Sequence, residues 1–242
     1  MDDALLPNAH RAITTLRAAG KRTVFLSNNP THTRQEYAAR LTKLGIPTAI
    51  NDIITSSMVM VDFLKRTLPT ARLFVIGEQP LYNDLRDAGF KFAGNFSEIN
   101  AVIASFDRTF TYAKLQIAFD AIRNGARLFA TNGDRYCPVP GGGQPDAAAI
   151  IAAIEACTST KCEAIVGKPS SYMTDAVLSL LRLSPSRCLI TGDRLETDVQ
   201  MGLKAGMATA LTLTGVTTPA DAEASPIKPT YIIHDLGELV DW

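Results

Sequence analysis

The chain has no long hydrophobic run, since the longest uninterrupted apolar stretch among its 242 residues is 147–154, eight residues. A membrane-spanning helix needs roughly 20 such residues, so no transmembrane segment is predicted. The chain begins Met1-Asp2-Asp3-Ala4, with acidic residues where a secretory signal carries Lys or Arg. These features predict a soluble, cytoplasmic protein without a membrane partner.

The sequence also has no excess of charge of either sign, because 24 Lys and Arg residues balance 24 Asp and Glu residues. Nucleic acids and anionic lipids attract proteins largely through positive charge, so a nucleic-acid partner is not expected. Any charge chemistry must be local. Hydrophobic residues make up 46% and charged residues 20%, which is ordinary for a globular chain. The length of 242 residues predicts one large domain or one domain with an insert.

Paired cysteines and nucleotide-binding glycine motifs are missing too. The four cysteines are 20, 5 and 26 residues apart, with no C-x-x-C pair and no histidine that completes a zinc site: Cys137, Cys157, Cys162 and Cys188. They are predicted to be reduced residues, mostly in the core. Neither Gly-x-Gly-x-x-Gly nor Gly-x4-Gly-Lys-Ser/Thr occurs. The glycine triplet at 141–143 is therefore predicted to form a tight turn.

Segments with helical periodicity that end near glycine are repeatedly followed by short β-branched or aromatic runs, a rhythm typical of α/β proteins with parallel strands. The helical segment 13–20 precedes the run 21–27, and 112–125 precedes 126–131. Further strands are predicted at 72–76, 101–105, 162–166, 187–191, 207–213 and 230–233. In such α/β folds, ligands bind at the carboxyl ends of the strands.

Polar residues follow two of these strands. Ser27, Asn28 and Asn29 offer a hydroxyl and two amides that can donate to a phosphoryl oxygen without adding charge. A turn that caps the next helix explains them about equally well. Lys168 follows the strand 162–166 and can neutralise a buried anion, although a lone lysine commonly reaches from a loop to water.

A third polar cluster follows the strand 187–191. Asp193 stands at the strand end after a glycine, and Asp198 comes five residues later. Two carboxylates are the hard oxygen ligands that Mg²⁺ prefers, with a substrate phosphate as a further ligand. Helix capping is the alternative, because Thr197 and Gln200 fit a capping box. Capping explains Thr197 and Asp198, but it does not explain Asp193.

Together and in this order, the three motifs resemble those of the haloacid dehalogenase (HAD) superfamily of phosphatases. The resemblance is to its subclass IIA branch of NagD-like sugar phosphatases, p-nitrophenyl phosphatases and pyridoxal phosphate phosphatases. It extends over essentially the whole chain, including residues 6–9, 131–134, 198–206 and 213–216. It implies an α/β fold with a Rossmann-like parallel-sheet core, residues 1–68 and 162–242, and an inserted α/β cap domain, residues 69–161.

The resemblance implies a Mg²⁺-dependent phosphatase that hydrolyses a small, sugar-phosphate-like monoester through an aspartyl phosphate. By motif, Ser27 would hold the transferring phosphoryl group and Lys168 would neutralise charge. Asp193 would bind Mg²⁺. Asp198 would orient Lys168 or the water shell of the metal, and it is the second candidate metal ligand.

Substrate choice would depend on the cap. The candidate substrate-binding residues are Asn28 and Asn29 in the first loop and, in the insert, Asn132, Asp134, Arg135 and Tyr136, with Asp107 and Arg108 as weaker candidates. Arg135 could meet a second anionic group and Tyr136 could stack on a ring or sugar, while a structural role is at least as well supported for each. Sugar phosphates, glycerol phosphate and pyridoxal phosphate all remain open as substrates. A homodimer through the cap is implied by resemblance alone.

The sequence departs from the family at the nucleophile. It contains no Asp-x-Asp, and Asp2 and Asp3 have no apolar strand before them, so neither is assigned as the nucleophile. The family's first strand, which lies between the strands that end at Ser27 and Thr191, is missing as well. Its loss predicts two buried strands with unpaired backbone groups, each costing roughly 1 to 3 kcal/mol.

Two accounts of this gap follow. In the preferred account the natural protein is longer, Met1 is an internal methionine, and the chain is a headless phosphatase. In the other, a rearranged sheet or a partner strand fills the gap, and the protein is a non-catalytic HAD-like binding or structural relative. Both predict a chain that is inactive or nearly so. A receiver-like module is disfavoured, because it would be close to half this length and would carry no insert.

Overall fold

The computed structural model describes residues 4–240, which form a mixed α/β structure with two compact units. One unit comprises residues 4–25, 35–54 and 168–240, and the other comprises residues 26–34 and 55–167. The predicted cap segment falls inside the second unit, and its exact boundaries stay a prediction. Asp2 and Asp3 lie outside the described residues. None of the described helices has both the length and the hydrophobicity that a membrane span requires.

The second unit is built on a parallel sheet of five strands in the order β4-β3-β5-β6-β9. The strands are β3 (Arg72–Ile76), β4 (Lys91–Phe92), β5 (Ala101–Ala104), β6 (Arg127–Ala130) and β9 (Ala164–Ile165). The helices are α3 (Ser56–Thr67), α4 (Gln79–Asp87), α5 (Tyr112–Arg123) and α6 (Ala147–Thr158). All four residues of β5 are buried, as expected for a parallel strand covered on both faces.

The core of this unit follows the predicted helical periodicity. In α5 the residues Ala118, Ala121 and Ile122 are buried, and they belong to one cluster with Leu128 of β6 and Ile154 of α6. Apolar burial of this kind supplies roughly 25 cal/mol for each Å² of surface removed from water. The continuous apolar run at the start of α6 is therefore a core helix.

A hairpin explains the glycine triplet. Strands β7 (Tyr136–Val139) and β8 (Gly142–Pro145) are antiparallel, and Gly141 in the turn between them has a φ of 82°, which confirms the predicted tight turn. The ring of Tyr136 lies across Gly143, where a Cβ atom would come within 2.8 Å of Tyr136 Cδ2. The triplet therefore serves the hairpin.

The first unit contains a parallel sheet of three strands in the order β10-β11-β12. They are β10 (Leu189–Gly192), β11 (Ala208–Thr212) and β12 (Tyr231–Ile233). Its helices are α1 (Ala9–Ala18), α7 (Ser171–Leu181), α8 (Gln200–Ala205) and α9 (Pro219–Ala224), together with most of α2 (Arg34–Lys43). Gly206 ends α8 in the left-handed conformation, which glycine adopts without steric cost.

The strands on either side of the predicted gap each pair with one neighbour within residues 4–240. β1 (Phe25–Ser27) pairs with β2 (Ile53–Thr55), and β10 pairs with β11. A gap between them stays a prediction. The amide of Ala208 donates to Cys188 O at 3.2 Å, so the even-numbered residues of β10 face β11. The backbone groups of Leu189 and Thr191 therefore face the other edge of the strand.

The structure corrects two expectations. The strand predicted at 21–27 is only the three-residue β1. A further short strand, β2, was not predicted, because so short a strand leaves little periodicity. The four cysteines are free, as expected, but none is fully buried and Cys157 is exposed. Cys162 packs against the core cluster of the second unit, while the other three lie at or near element ends. Burial still raises the pKa of Cys162 to about 11, so its thiol stays protonated at neutral pH.

Substituting Gly202→Ala tests how closely α8 packs against the strands β10 and β11. An added Cβ would overlap the Cγ2 atoms of Ile190 and Thr209, so we expect a loss of about 1 to 3 kcal/mol in the free energy of unfolding. Glycine to alanine in an unobstructed helix would instead stabilise by about 1 kcal/mol. Urea denaturation followed by circular dichroism measures the difference. The control Lys204→Ala, at an exposed position of the same helix, should change stability by less than about 0.5 kcal/mol. A stabilised Gly202→Ala protein would contradict the packing.

Candidate active site

The loop after β1 belongs to the second unit, and its own side chains fix its shape. The hydroxyl of Ser27 accepts a hydrogen bond from the backbone amide of Asn29 at 3.2 Å. The side-chain oxygen of Asn29 accepts from the Thr31 amide at 2.9 Å and from its hydroxyl at 2.7 Å. The carbonyl of Asn28 accepts from the hydroxyl of Ser56 at 2.7 Å. Asn29 thus forms a local turn, and its contact with substrate stays a prediction.

Three predicted substrate-binding residues meet in one buried polar network. Asp134 Oδ2 accepts from the side-chain amides of Asn28 at 3.1 Å and Asn132 at 3.3 Å. The Asn132 amide also donates to Asp146 Oδ1 at 3.1 Å, and Asp146 caps α6 by accepting from the amide of Ala147 at 2.6 Å. Buried polar groups need such partners, so this network holds the loop that carries Ser27. Contact of these residues with substrate stays a prediction.

Sequence reasoning missed Gly167, although this glycine directly precedes Lys168. A Cβ atom here would lie 2.6 Å from both Asn28 Oδ1 and the carbonyl of Thr131. Only a glycine allows this close approach.

Arg135 and Tyr136 are both exposed at the start of the hairpin. The weaker candidates Asp107 and Arg108 follow β5, where Asp107 is buried and Arg108 is exposed.

In the first unit, the structure brings Lys168 and Asp198 together. Lys168 Nζ lies 2.7 Å from Asp198 Oδ1, and the two side chains are only 13% and 8% exposed. The other carboxylate oxygen, Oδ2, accepts from the amide of Arg194 at 3.3 Å. Ions removed from water require such pairing, so the lysine is held in place by the aspartate rather than reaching to solvent.

The turn after β10 brings Asp198 to this position. Residues Leu195–Val199 form a π-helical turn, a geometry often found at functional sites. A Cβ atom on Gly192 would overlap the side chain of Asp198, so glycine is required where the strand ends. The predicted capping box is wrong, because α8 begins at Gln200 without a side-chain cap. The π-helical turn displaces Thr197 from the capping position.

Asp193 is anchored separately. Its Oδ2 accepts from the amide of Val216 at 2.8 Å, and its carbonyl accepts from the hydroxyl of Thr217 at 2.6 Å. A Cβ atom on Gly215 would overlap the Asp193 carboxylate, a requirement that sequence reasoning did not identify. No hydrogen bond reaches Asp193 Oδ1 within the described part of the chain. That oxygen can serve a ligand.

The carboxylates allow a test of the predicted metal. Within residues 4–240, no three His, Cys, Asp or Glu side chains lie close enough together to hold one metal ion. Mg²⁺ commonly uses only one or two carboxylates and keeps several waters, so the donor set fits it. Asp193 has the available oxygen, whereas both oxygens of Asp198 already accept hydrogen bonds. Asp193 is therefore the better supported ligand, and direct coordination by Asp198 stays a prediction.

Comparison with known proteins assigns the family. Residues 1–91 match the family described as haloacid dehalogenase-like hydrolase, and residues 165–239 match a HAD-hydrolase-like family. Sugar-phosphatase AraL of Bacillus subtilis is 39% identical over 97% of this chain and 86% of its own length. The chain belongs to the haloacid dehalogenase-like hydrolases.

Two further relatives support the NagD-like branch of this hydrolase family. Human chronophin is 32% identical over 98% of the chain and 86% of its own length. The crystal structure of a 4-nitrophenylphosphatase from Thermotoga maritima superimposes with a TM-score of 0.94 at 34% identity, covering 100% of this chain and 92% of that one. The predicted family, the α/β fold and the assignment as an enzyme of the hydrolase class are confirmed.

Removing the aspartate of the buried pair tests its role in this hydrolase. Asp198→Ala takes the counter-ion from a mostly buried ammonium, so we expect a loss of about 3 to 5 kcal/mol in the free energy of unfolding. The control is Glu98→Ala. Glu98 and its partner Arg72 are each about half exposed, so about 1 kcal/mol or less should be lost. Equal losses in the two variants, measured by urea denaturation, would contradict a special role for burial.

Proposed function

We propose that this protein acts on phosphate monoesters of small, sugar-phosphate-like metabolites and that it uses Mg²⁺. The observation that carries the proposal is the buried Lys168–Asp198 pair. The available carboxylate oxygen of Asp193 lies at the end of β10, the strand that Asp198 also follows. A phosphate monoester brings concentrated negative charge, and phosphoryl transfer depends mostly on positioning and neutralising that charge. A fixed lysine and a carboxylate that can hold a cation supply both.

Each residue has a defined task in this proposal. Lys168 donates to a phosphoryl oxygen while Asp198 keeps its ammonium in place. Asp193 holds Mg²⁺, which when bound offsets negative charge on the phosphoryl oxygens. By motif, Ser27 donates its hydroxyl to the phosphoryl group, and the Asn28–Asp134 hydrogen bond keeps the Ser27 loop in shape. Asn132, Arg135 and Tyr136 are proposed to contribute to substrate choice.

The substrate class rests on the names of the relatives, which include a sugar phosphatase and a 4-nitrophenylphosphatase. The homodimer through the cap is proposed on resemblance alone, as is the cytoplasmic location.

The absence of an Asp-x-Asp motif from the 242 residues favours a second candidate function. The aspartyl phosphate of the family needs that nucleophile, and no other aspartate of the motif type is available. A chain with Lys168, Asp193 and Ser27 but no nucleophile can bind a phosphate monoester without hydrolysing it. We propose binding without appreciable turnover for the chain as it stands.

Hydrolysis of p-nitrophenyl phosphate tests this proposal. The 242-residue chain, assayed with Mg²⁺ beside the Thermotoga maritima 4-nitrophenylphosphatase, should be slower by a factor of at least about 10³, because the covalent step has no nucleophile. Turnover within tenfold of that relative would contradict the proposal.

Ligand-induced stabilisation tests binding independently of turnover. Inorganic phosphate with Mg²⁺, at about ten times the dissociation constant, should raise the free energy of unfolding by about 1.4 kcal/mol. Asp193→Asn should abolish the Mg²⁺-dependent part and preserve the fold, because the amide oxygen can still accept from Val216. Glu196→Gln, at an exposed position of the same turn, is the control and should respond like the unaltered chain. Mg²⁺-dependent stabilisation that persists in Asp193→Asn would overturn the assignment.

A further inference from the structure

The second unit contains a cleft of about 540 Å³ at the carboxyl ends of β3 and β5. The sheet order β4-β3-β5-β6-β9 sends the chain from β3 to one side and from β5 to the other. In open parallel sheets such a reversal leaves a crevice between the connecting helices, and ligands bind there. None of the residues proposed for phosphoryl chemistry lines this cleft.

One wall of the cleft is a bidentate ion pair. Arg108 Nε and Nη2 donate to the two carboxylate oxygens of Glu78 at 2.7 Å each, and the Arg108 amide adds a bond at 3.2 Å. Glu78 is only 15% exposed, whereas Arg108 is 53% exposed. The guanidinium lowers the pKa of the Glu78 carboxyl, so Glu78 is ionised at neutral pH and accepts hydrogen bonds.

A second pair and an aromatic ring complete the cleft. Lys114 Nζ lies 2.6 Å from the buried carboxylate of Asp107 and 2.8 Å from the hydroxyl of Thr109. The hydroxyl of Tyr82 donates to the carbonyl of Val75 at 2.6 Å, which leaves its ring as a fixed apolar surface. The cleft therefore presents charged donors and acceptors beside an aromatic face.

Comparable ion pairs at the other end of the sheet have no such surroundings. Arg127 pairs with Glu163 at 2.6 Å at the start of β6, and both side chains are well exposed. Arg72 at the start of β3 pairs with Glu98 in the same exposed way. Exposed pairs of this kind contribute little to stability. Of these three Arg–Glu pairs, the one at the carboxyl ends of the strands buries its carboxylate inside a cleft.

We propose that this cleft binds a small neutral polyhydroxylated molecule, a sugar or sugar alcohol, through Glu78, Arg108 and Lys114. Glu78, Arg108 and Lys114 line the cleft, and the buried Asp107 pairs with Lys114 from beneath. Each cation is thus paired with a carboxylate, so neither an anion nor a cation is favoured. A hydroxyl group both donates and accepts, so neighbouring hydroxyls can bridge a carboxylate and a guanidinium. The carbon chain can pack on the ring of Tyr82.

The cleft also has a suitable size. Small-molecule sites usually measure roughly 300 to 1,000 Å³, and the hydroxyl-bearing ligand needs few, well-placed polar partners. Asp107 and Arg108 are the weaker sequence candidates for substrate contact, but this inference requires neither phosphate nor Mg²⁺ and involves no bond breaking. Its failure would leave the assignments of Lys168 and Asp193 untouched.

Calorimetric titration of the full 242-residue chain with ribitol, without phosphate or Mg²⁺, tests the inference. Ribitol should bind with a dissociation constant on the order of 1 mM, typical of a small polar ligand. Glu78→Gln keeps the shape of the side chain but removes its charge, so affinity should fall about tenfold. The matched control Glu163→Gln breaks the exposed pair at the opposite end of the sheet and should bind ribitol like the unaltered chain.

The folded state of each variant is checked by its urea midpoint. If Glu78→Gln does not fold, Arg108→Lys replaces it, because this half-exposed position tolerates change and the substitution removes the bidentate geometry. Three results would overturn the inference: no ribitol binding up to about 50 mM, equal weakening by Glu163→Gln, or displacement of bound ribitol by inorganic phosphate. The last result would mean that ribitol shares a site with phosphate rather than occupying a separate cleft.

Discussion

An ammonium and a carboxylate that are almost removed from water must meet, and the first unit is organised around that requirement. Lys168 and Asp198 are distant in sequence and are nearly buried side by side. Their meeting depends on a strand end without a side chain at Gly192 and on a π-helical turn that returns the chain toward it. Asp193, fixed by the amide of Val216, extends the same polar edge. The backbone path therefore places the two opposite charges of Lys168 and Asp198 together without a ligand.

The second unit holds its polar loop with two side-chain amides and one carboxylate. Asn28, Asn132 and Asp134 share hydrogen bonds, and Gly167 allows the chain to pass closely over Asn28. The loop that carries Ser27 is therefore fixed both by its own side chains and by residues that follow the strand β6 of this unit. Residues that sequence motifs assign to substrate contact are engaged in holding one another. Preorganisation of this kind lowers the cost of ordering a site when ligand binds.

The sequence predicted the long apolar strands, because burial on both faces produces apolar runs such as 72–76 and 101–105. It also predicted which charged residues follow the strands. Short strands were not predicted, since β2 and β4 leave almost no pattern. Contacts made across the fold were also hidden. The need for glycine at 167 and 215 depends on the side chains of Asn28 and Asp193, which sequence spacing does not place there. The capping box at Thr197 failed because a π-helical turn prevailed over local helix preference, as expected near functional sites.

Lys168 and Asp193 carry the proposal that this haloacid dehalogenase-like hydrolase recognises phosphate. A crystal structure grown with Mg²⁺ and tungstate, a phosphate mimic, tests this account most directly. We expect tungstate oxygens within hydrogen-bonding distance of Lys168 Nζ and a Mg²⁺ ion on Asp193. Tungstate bound elsewhere, with the carboxylate of Asp193 free of metal, would contradict it.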